Sequence, residues 1–342
     1  MTIQEIMPRR LQARELLGDH WFNGAPFLLG DHRGQVVLVF FWDFASSASL
    51  RALPYVQDWA AKYAALGLQV VGVHSPRFRF EQEPANVQDA ITRLGITFPV
   101  VADNSQMIWS MYGNRTWPAF HLVDQDGFIR CQNAGDGGYL SFERSLQALL
   151  SGSNYGEEMP DLTAPFHDTD RPGAVCYRAT PEILAGYLRG SVGNVEGMAP
   201  ESVLEYTDPG FYVDGRMYLQ GAWLNDRDCF RWEGEVGTDG AVTIRYQGIE
   251  AHLILEPPEG GKGTMRIEQD GVPLTASDAG TDVTLRTGKT SIVRLDRARS
   301  YNIIRNREFG EHLLTLHPIE PGCAVYSLTG IPAVIPDLIS NN

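Results

Sequence analysis

Ser46 and Ser49 stand three residues apart, between an apolar run that ends at Trp42 and a stretch with helical periodicity. Hydroxyls in that position have two uses. A serine becomes a nucleophile only beside a general base. The base to consider is His74, which closes a second apolar run and reads as a hydrogen-bonded strand-end residue. A serine opening a helix instead accepts from an orphan N–H of the first turn, a cap worth about 1 kcal/mol. For Ser46 the pattern favours the cap.

The other reactive types are scattered. Cys131, Cys176, Cys229 and Cys323 lie far apart with no redox or metal spacing and read as reduced thiols. Cys323 alternates like a core strand residue, and Cys131, ending a strand, is reactive only if exposed. No zinc spacing occurs, and Asp226-Arg-Asp228 is too short for a calcium loop. Gly288-Lys289-Thr290 ends like a phosphate loop, but Val283 stands where the first glycine is required and a strand follows. No cofactor or metal is expected. Trp223, Trp232 and several tyrosines suit a sugar-stacking platform, though in alternating strands they read first as core or rim.

The elements that must position these residues follow from periodicity. Gln35 to Trp42 is nearly all apolar, the mark of a strand buried on both faces. Leu53, Val56, Ala60, Tyr63 and Leu66 recur at helical spacing up to Gly67, and Leu68 to His74 forms a second buried strand. Pro84 opens a helix that stops at Gly95. A short strand over 98–102, a helix over 107–112 and a hairpin around Asp126-Gly127 follow. Ser141 is placed to cap a last helix through Leu150. The order β-α-β-α-β-α-β-β-α predicts a thioredoxin fold with an added helix over about 1–150. Residues 151–179, rich in turn formers, read as a linker. Thr180-Pro181-Glu182 reads as a helix start. Beyond Phe211 the period becomes two, with turns at Asp239-Gly240 and Asp270-Gly271. That pattern predicts an all-β, jelly-roll-like sandwich over 180–342.

Composition sets the outer bounds. At 342 residues, roughly two domains of about 150 residues are expected. A net charge of -14 argues against nucleic acid and anionic membrane surfaces as partners. No apolar run approaches the ~20 residues of a membrane-spanning helix, and the first residues lack a signal-peptide core. As written, the chain is expected in the cytoplasm, or outside it had a leader been removed.

Several segments carry a family resemblance. They are Gly18-Asp-His-Trp-Phe-Asn, Arg33-Gly-Gln-Val-Val-Leu-Val, Leu53-Pro-Tyr-Val, Gly72-Val-His-Ser-Pro, Glu83-Pro-Ala-Asn-Val-Gln, Leu94-Gly-Ile-Thr-Phe-Pro-Val and Tyr112-Gly-Asn-Arg-Thr-Trp-Pro-Ala. In this order, over 15–150, the chain resembles the TlpA/DipZ-like thioredoxins. The Thr180-Pro-Glu-Ile-Leu-Ala-Gly-Tyr segment extends the likeness into a carbohydrate-binding-like β-sandwich.

The resemblance implies a thiol–disulfide oxidoreductase whose two cysteines fall on Ser46 and Ser49. A thioredoxin cysteine acts as a thiolate, stabilised at the helix N-terminus, and a serine hydroxyl neither ionises there nor forms a disulfide. Ser47 and Ala48 also replace the bulkier pair usual between the cysteines, which favours natural loss over engineered replacement. The resemblance further implies a cis peptide at Trp117-Pro118 and a peptide groove rimmed by Trp42, Asn114 and Arg115, unless Trp42 and Trp117 merely pack two loops together. The expected function is a redox-inactive binding or scaffold protein that takes an extended peptide. The alternatives are an oxidoreductase in Cys-to-Ser form and a carbohydrate-recognising protein.

Overall fold

Val36–Trp42 is apolar at every position because both faces of the strand it forms are covered. In the computed structural model, which describes residues 11–152, 158–286 and 290–336, all seven side chains are buried. The chain divides into two compact units, Met1–Pro172 and Gly173–Asn342.

The first unit holds a six-stranded sheet. Its strands are β1 (His20–Phe22), β2 (Val36–Trp42), β3 (Leu68–His74), β4 (Val100–Ala102), β5 (Ala119–Val123) and β6 (Ile129–Ala134), in the order β1-β4-β3-β2-β5-β6. β2, β3 and β4 run parallel, while β1, β5 and β6 pair antiparallel. The helices are α1 (Ser47–Lys62), α2 (Pro84–Arg93), α3 (Met107–Met111) and α4 (Tyr139–Ser151). This is the expected thioredoxin fold with one more edge strand, β1, too short for periodicity to reveal. Helix α4 starts at Tyr139 with Gly138 at its N-cap position; the Ser141 hydroxyl donates back to the Gly138 carbonyl instead of capping.

The stretch after α4 is held by specific bonds where it is described. The Thr163 hydroxyl donates to Asp58, and its backbone N–H donates to the buried Glu143. The Phe166 N–H donates to the Tyr55 hydroxyl, which in turn donates to Asp170. Arg51 completes the clasp by bonding Thr169 and Asp136. Residues 163–170 therefore lie along α1 and α4 of the first unit.

The second unit is a single eleven-stranded network whose named strands pair antiparallel. Its strands are β7 (Ile183–Leu184), β8 (Val203–Tyr206), β9 (Met217–Asn225), β10 (Phe230–Trp232), β11 (Ala241–Glu256), β12 (Gly263–Gln269), β13 (Val272–Pro273), β14 (Val283–Arg286), β15 (Thr290–Leu295), β16 (Arg299–Pro318) and β17 (Ala324–Ile331). Two runs expected as separate strands, 242–246 and 252–255, are halves of β11, joined through register shifts around Gly248 to His252. Such bulges bend a strand, so β11 pairs with β9 at one end and β17 at the other. The sheet thereby wraps a single core that includes Trp223, Trp232, Tyr246, Leu253 and Leu316.

Thr180-Pro181-Glu182 starts no helix. Thr180 exchanges hydrogen bonds with Gln247, and Ile183 enters the core through β7 against β17. Pairing with a long strand and burial of Ile183 override the local helix-start signal. Gly288 and Lys289 of the phosphate-loop-like sequence lie outside the described residues. Among the described residues no helix is long and apolar enough to cross a membrane.

Candidate functional site: the serine pair and its loops

Three loops leave the same end of the sheet because their strands are neighbours. β3 runs parallel beside β2, and Phe41 of β2 faces Ala119 of β5. The turn 43–46, the loop 75–81 and the loop 113–118 are thus brought together.

The turn is built around Asp43. Its Oδ1 accepts from the Ala45 N–H at 2.6 Å and from the Ser46 N–H at 3.2 Å. Ser46 then caps α1, its Oγ accepting from the Ser49 N–H at 3.4 Å. The Ser49 Oγ accepts from the Asp43 N–H at 3.3 Å and is wholly buried. Both hydroxyl oxygens therefore serve the backbone of their own turn.

Asp43 is itself fully buried, and its cation is the Arg77 guanidinium. Burial alone would raise its pKa; Arg77, a hydrogen bond with Glu81 and the nearby His74 outweigh that and hold it below the ordinary value. Glu81, equally buried, accepts from the Arg77 and Phe78 N–H groups through Oε2. Burial and then the Asp43 charge push its pKa well up, which favours the uncharged form of Glu81.

His74 differs from expectation. Its carbonyl accepts from the Asp103 N–H, but neither ring nitrogen has a hydrogen-bond partner among the described residues. The ring stacks on Phe44 at 5.3 Å and meets Trp42 edge-on at 5.4 Å. Burial lowers its pKa to about 4, leaving a neutral imidazole that contacts no serine hydroxyl.

Trp42 is also a correction. It is fully buried and rims no groove, because β2 is covered on both faces up to its last residue. Trp117 is half-buried, stacked on Trp109 at 3.9 Å, and donates from Nε1 to the Ser75 carbonyl at 2.8 Å. The Trp117–Pro118 bond is cis and Pro118 is buried. Asn114 is oriented from below: its Oδ1 accepts from His121 Nε2 at 2.8 Å, while His121 Nδ1 accepts from Gln132 at 2.9 Å. That pair of bonds selects the Nε2–H tautomer. Arg115 and Thr116 are exposed. Asn114, Arg115, Trp117 and Pro118 share one loop, while Trp42 and His74 are buried at the ends of β2 and β3.

Asp43, Arg77, Glu81 and His121 were missed. The signal for Asp43 was present: an acid directly after seven apolar residues must be buried, and a buried charge needs a partner.

Of the four thiols, Cys176 is partly exposed and the other three are buried. Cys131 lies buried in β6 with its pKa raised by burial. In the second unit Cys229 and Cys323 are buried and likewise raised, Cys323 to about 12. Trp223 and Trp232 are buried in the core and offer no stacking face.

Residues 15–132 match the AhpC/TSA family and residues 180–330 match the thioredoxin like C-terminal domain. Protein DipZ of Mycobacterium tuberculosis is 31% identical over 271 residues, covering 77% of this chain and 37% of DipZ. The chain belongs to the TlpA/DipZ-like thioredoxin family. It thereby falls among relatives of thiol–disulfide oxidoreductases, although it spans only 37% of the length of DipZ. The thiol-disulfide oxidoreductase YkuV of Bacillus subtilis is 27% identical over 155 residues, 44% of this chain and 98% of YkuV. A thiol-disulfide isomerase structure from Corynebacterium glutamicum covers 41% of this chain and 97% of its own, with 24% identity and a TM-score of 0.37.

Proposed function

We propose that this chain is a redox-inactive member of its family that holds an extended peptide on the loops around α1 and Pro118. The observation that carries this reading is the use of both serine oxygens as backbone acceptors within one turn. Disulfide exchange requires a thiolate that attacks sulfur, and a capping hydroxyl with no adjacent base does neither this nor acyl transfer. The loops that would surround a peptide are tied together by the Trp117 bond to the Ser75 carbonyl. Thr116 is exposed and makes no backbone hydrogen bond among the described residues. An extended peptide can pair with such a free backbone edge as an added strand.

Two measurements test the proposal. Insulin reduction should be absent, before and after alkylation of the four cysteines; reductase activity surviving alkylation would refute the inactive assignment. Hydrogen exchange with a reduced, carboxymethylated unfolded protein added should slow at 114–118, and no change there would remove the peptide role. A sugar-binding role for the second unit lacks comparable support, since Trp223 and Trp232 are core residues.

A further inference from the structure

The charges bordering the groove are unevenly distributed. The protein carries a net charge of -14, yet the free charges on the loops beside α1 are cationic. Arg115 is exposed and has no ion pair or hydrogen-bond partner among the described residues. It lies one residue before Thr116, whose backbone is unpaired. Arg79 is exposed and unpartnered in the same sense, on the loop that Trp117 grips through its bond to Ser75.

The carboxylates of the same region are withdrawn. Asp43, Glu81 and Asp103 are buried. Asp43 is neutralised by Arg77, and Asp136 is paired with Arg51 at 2.6 Å. The first turn of α1 carries no acidic side chain. The nearest exposed acid on the 75–83 segment, Glu83, stands at the start of α2.

We infer that the peptide taken at this groove is acidic, its carboxylates being met by Arg115 and Arg79. The inference rests on the peptide-capture reading above and adds its charge class. A strand laid along Thr116 alternates its side chains, so those on one face pass the 115–116 loop in succession. Arginine also suits the task chemically, because its planar fork matches a carboxylate with two parallel N–H bonds. Basic peptides would meet these same cations with no exposed, unpaired carboxylate on the groove loops to offset them.

The test uses the full chain and three fluorescent extended peptides of one sequence, carrying Glu, Ser or Lys at the same alternate positions. Anisotropy should show the Glu peptide binding about tenfold more tightly than the Ser peptide at low salt, with the Lys peptide weakest. The advantage should shrink as salt screens the exposed charges. The double variant Arg79→Glu/Arg115→Glu should invert the order; neither side chain supports the fold, so the variant keeps its structure. Equal binding of all three peptides, or an unchanged order in the double variant, would overturn the charge assignment and leave capture standing. Failure of every peptide to bind would instead overturn capture itself, and the inference with it.

Discussion

The two units bury polar groups in different ways. In the first unit Asp43, Glu81, Arg77 and His74 are drawn out of water at the turn after β2, the end of β3 and the loop that follows it. In the second unit the buried polar residues are Asn, Gln, Thr and Ser, with Asp228 the exception. Its stronger ion pairs, such as Arg231 with Glu256 at 2.7 Å, stay partly in solvent. A buried charge is stable only with its partner, and an apolar replacement of the whole set would often do as well. The sheet unit follows that economy; the thioredoxin-like unit does not. The first unit, which also buries Asp124, Glu143 and His121, should therefore respond far more than the second to pH and to loss of one charge.

The largest expected effect breaks the buried pair. Arg77→Ala should cost the first unit about 3–5 kcal/mol, because Asp43 is left charged and buried. Arg231→Ala in the second unit should cost only about 1 kcal/mol, as its partner stays partly solvated. Hydrogen exchange resolved by peptide measures each unit within the whole chain; equal losses would abolish the contrast.

The next effect concerns acid. His74 titrates near 4 when folded against an ordinary 6.5, so below 6.5 the unfolded chain binds the proton more readily. Stability of the first unit should fall as pH drops from 6.5, by about 3 kcal/mol at pH 4 from this residue. His121, lowered to about 3 by burial, adds a loss in the same direction. In His74→Phe the slope should diminish, and a profile identical to that of the unaltered chain would show that His74 is not buried neutral.

A smaller change is expected at the cap. Ser46→Ala should destabilise α1 by about 1 kcal/mol, visible as faster exchange in its first turn; no change would mean that the Asp43 turn alone holds the helix start.

Glu81→Gln should do least, within about 0.5 kcal/mol at mildly acidic pH, since the amide is uncharged and its oxygen still accepts from the Arg77 and Phe78 N–H groups. Its interest lies in the sign. A carboxyl raised above 4.5 in the folded chain loses its stabilising share as pH rises beyond that value. Stability of the unaltered chain should therefore carry a downward term above 4.5 that the Gln variant lacks. Parallel profiles for the two proteins would show Glu81 ionised.

Much of this was legible in the chain. Long apolar runs such as 36–42 and 68–74 could only be buried parallel strands, and the placement of Ser46 before a helix made it a cap. Shorter signals failed where distant pairing competed. β1 has three residues and exists because it pairs with β4; Thr180-Pro181 opens no helix because Gln247 claims its hydrogen bonds. The break expected between 246 and 252 is a bend inside β11, since β16 continues alongside and carries the ladder across.

The site divides along the same line. Residue type alone determined that Ser46 and Ser49 cannot cycle through a disulfide, because a hydroxyl has neither the acidity nor the bond to make. Local pattern alone determined the strand–helix order that sets them at a helix start. Only the tertiary structure decided that Trp42 is fully buried, that the His74 ring has no hydrogen-bond partner among the described residues, and that Asp43, Arg77 and Glu81 meet. Those outcomes depend on which side chains, up to 38 residues apart in the chain, share a space without water. Solvent exclusion is a property of the packed whole, and no run of residues carries it by itself.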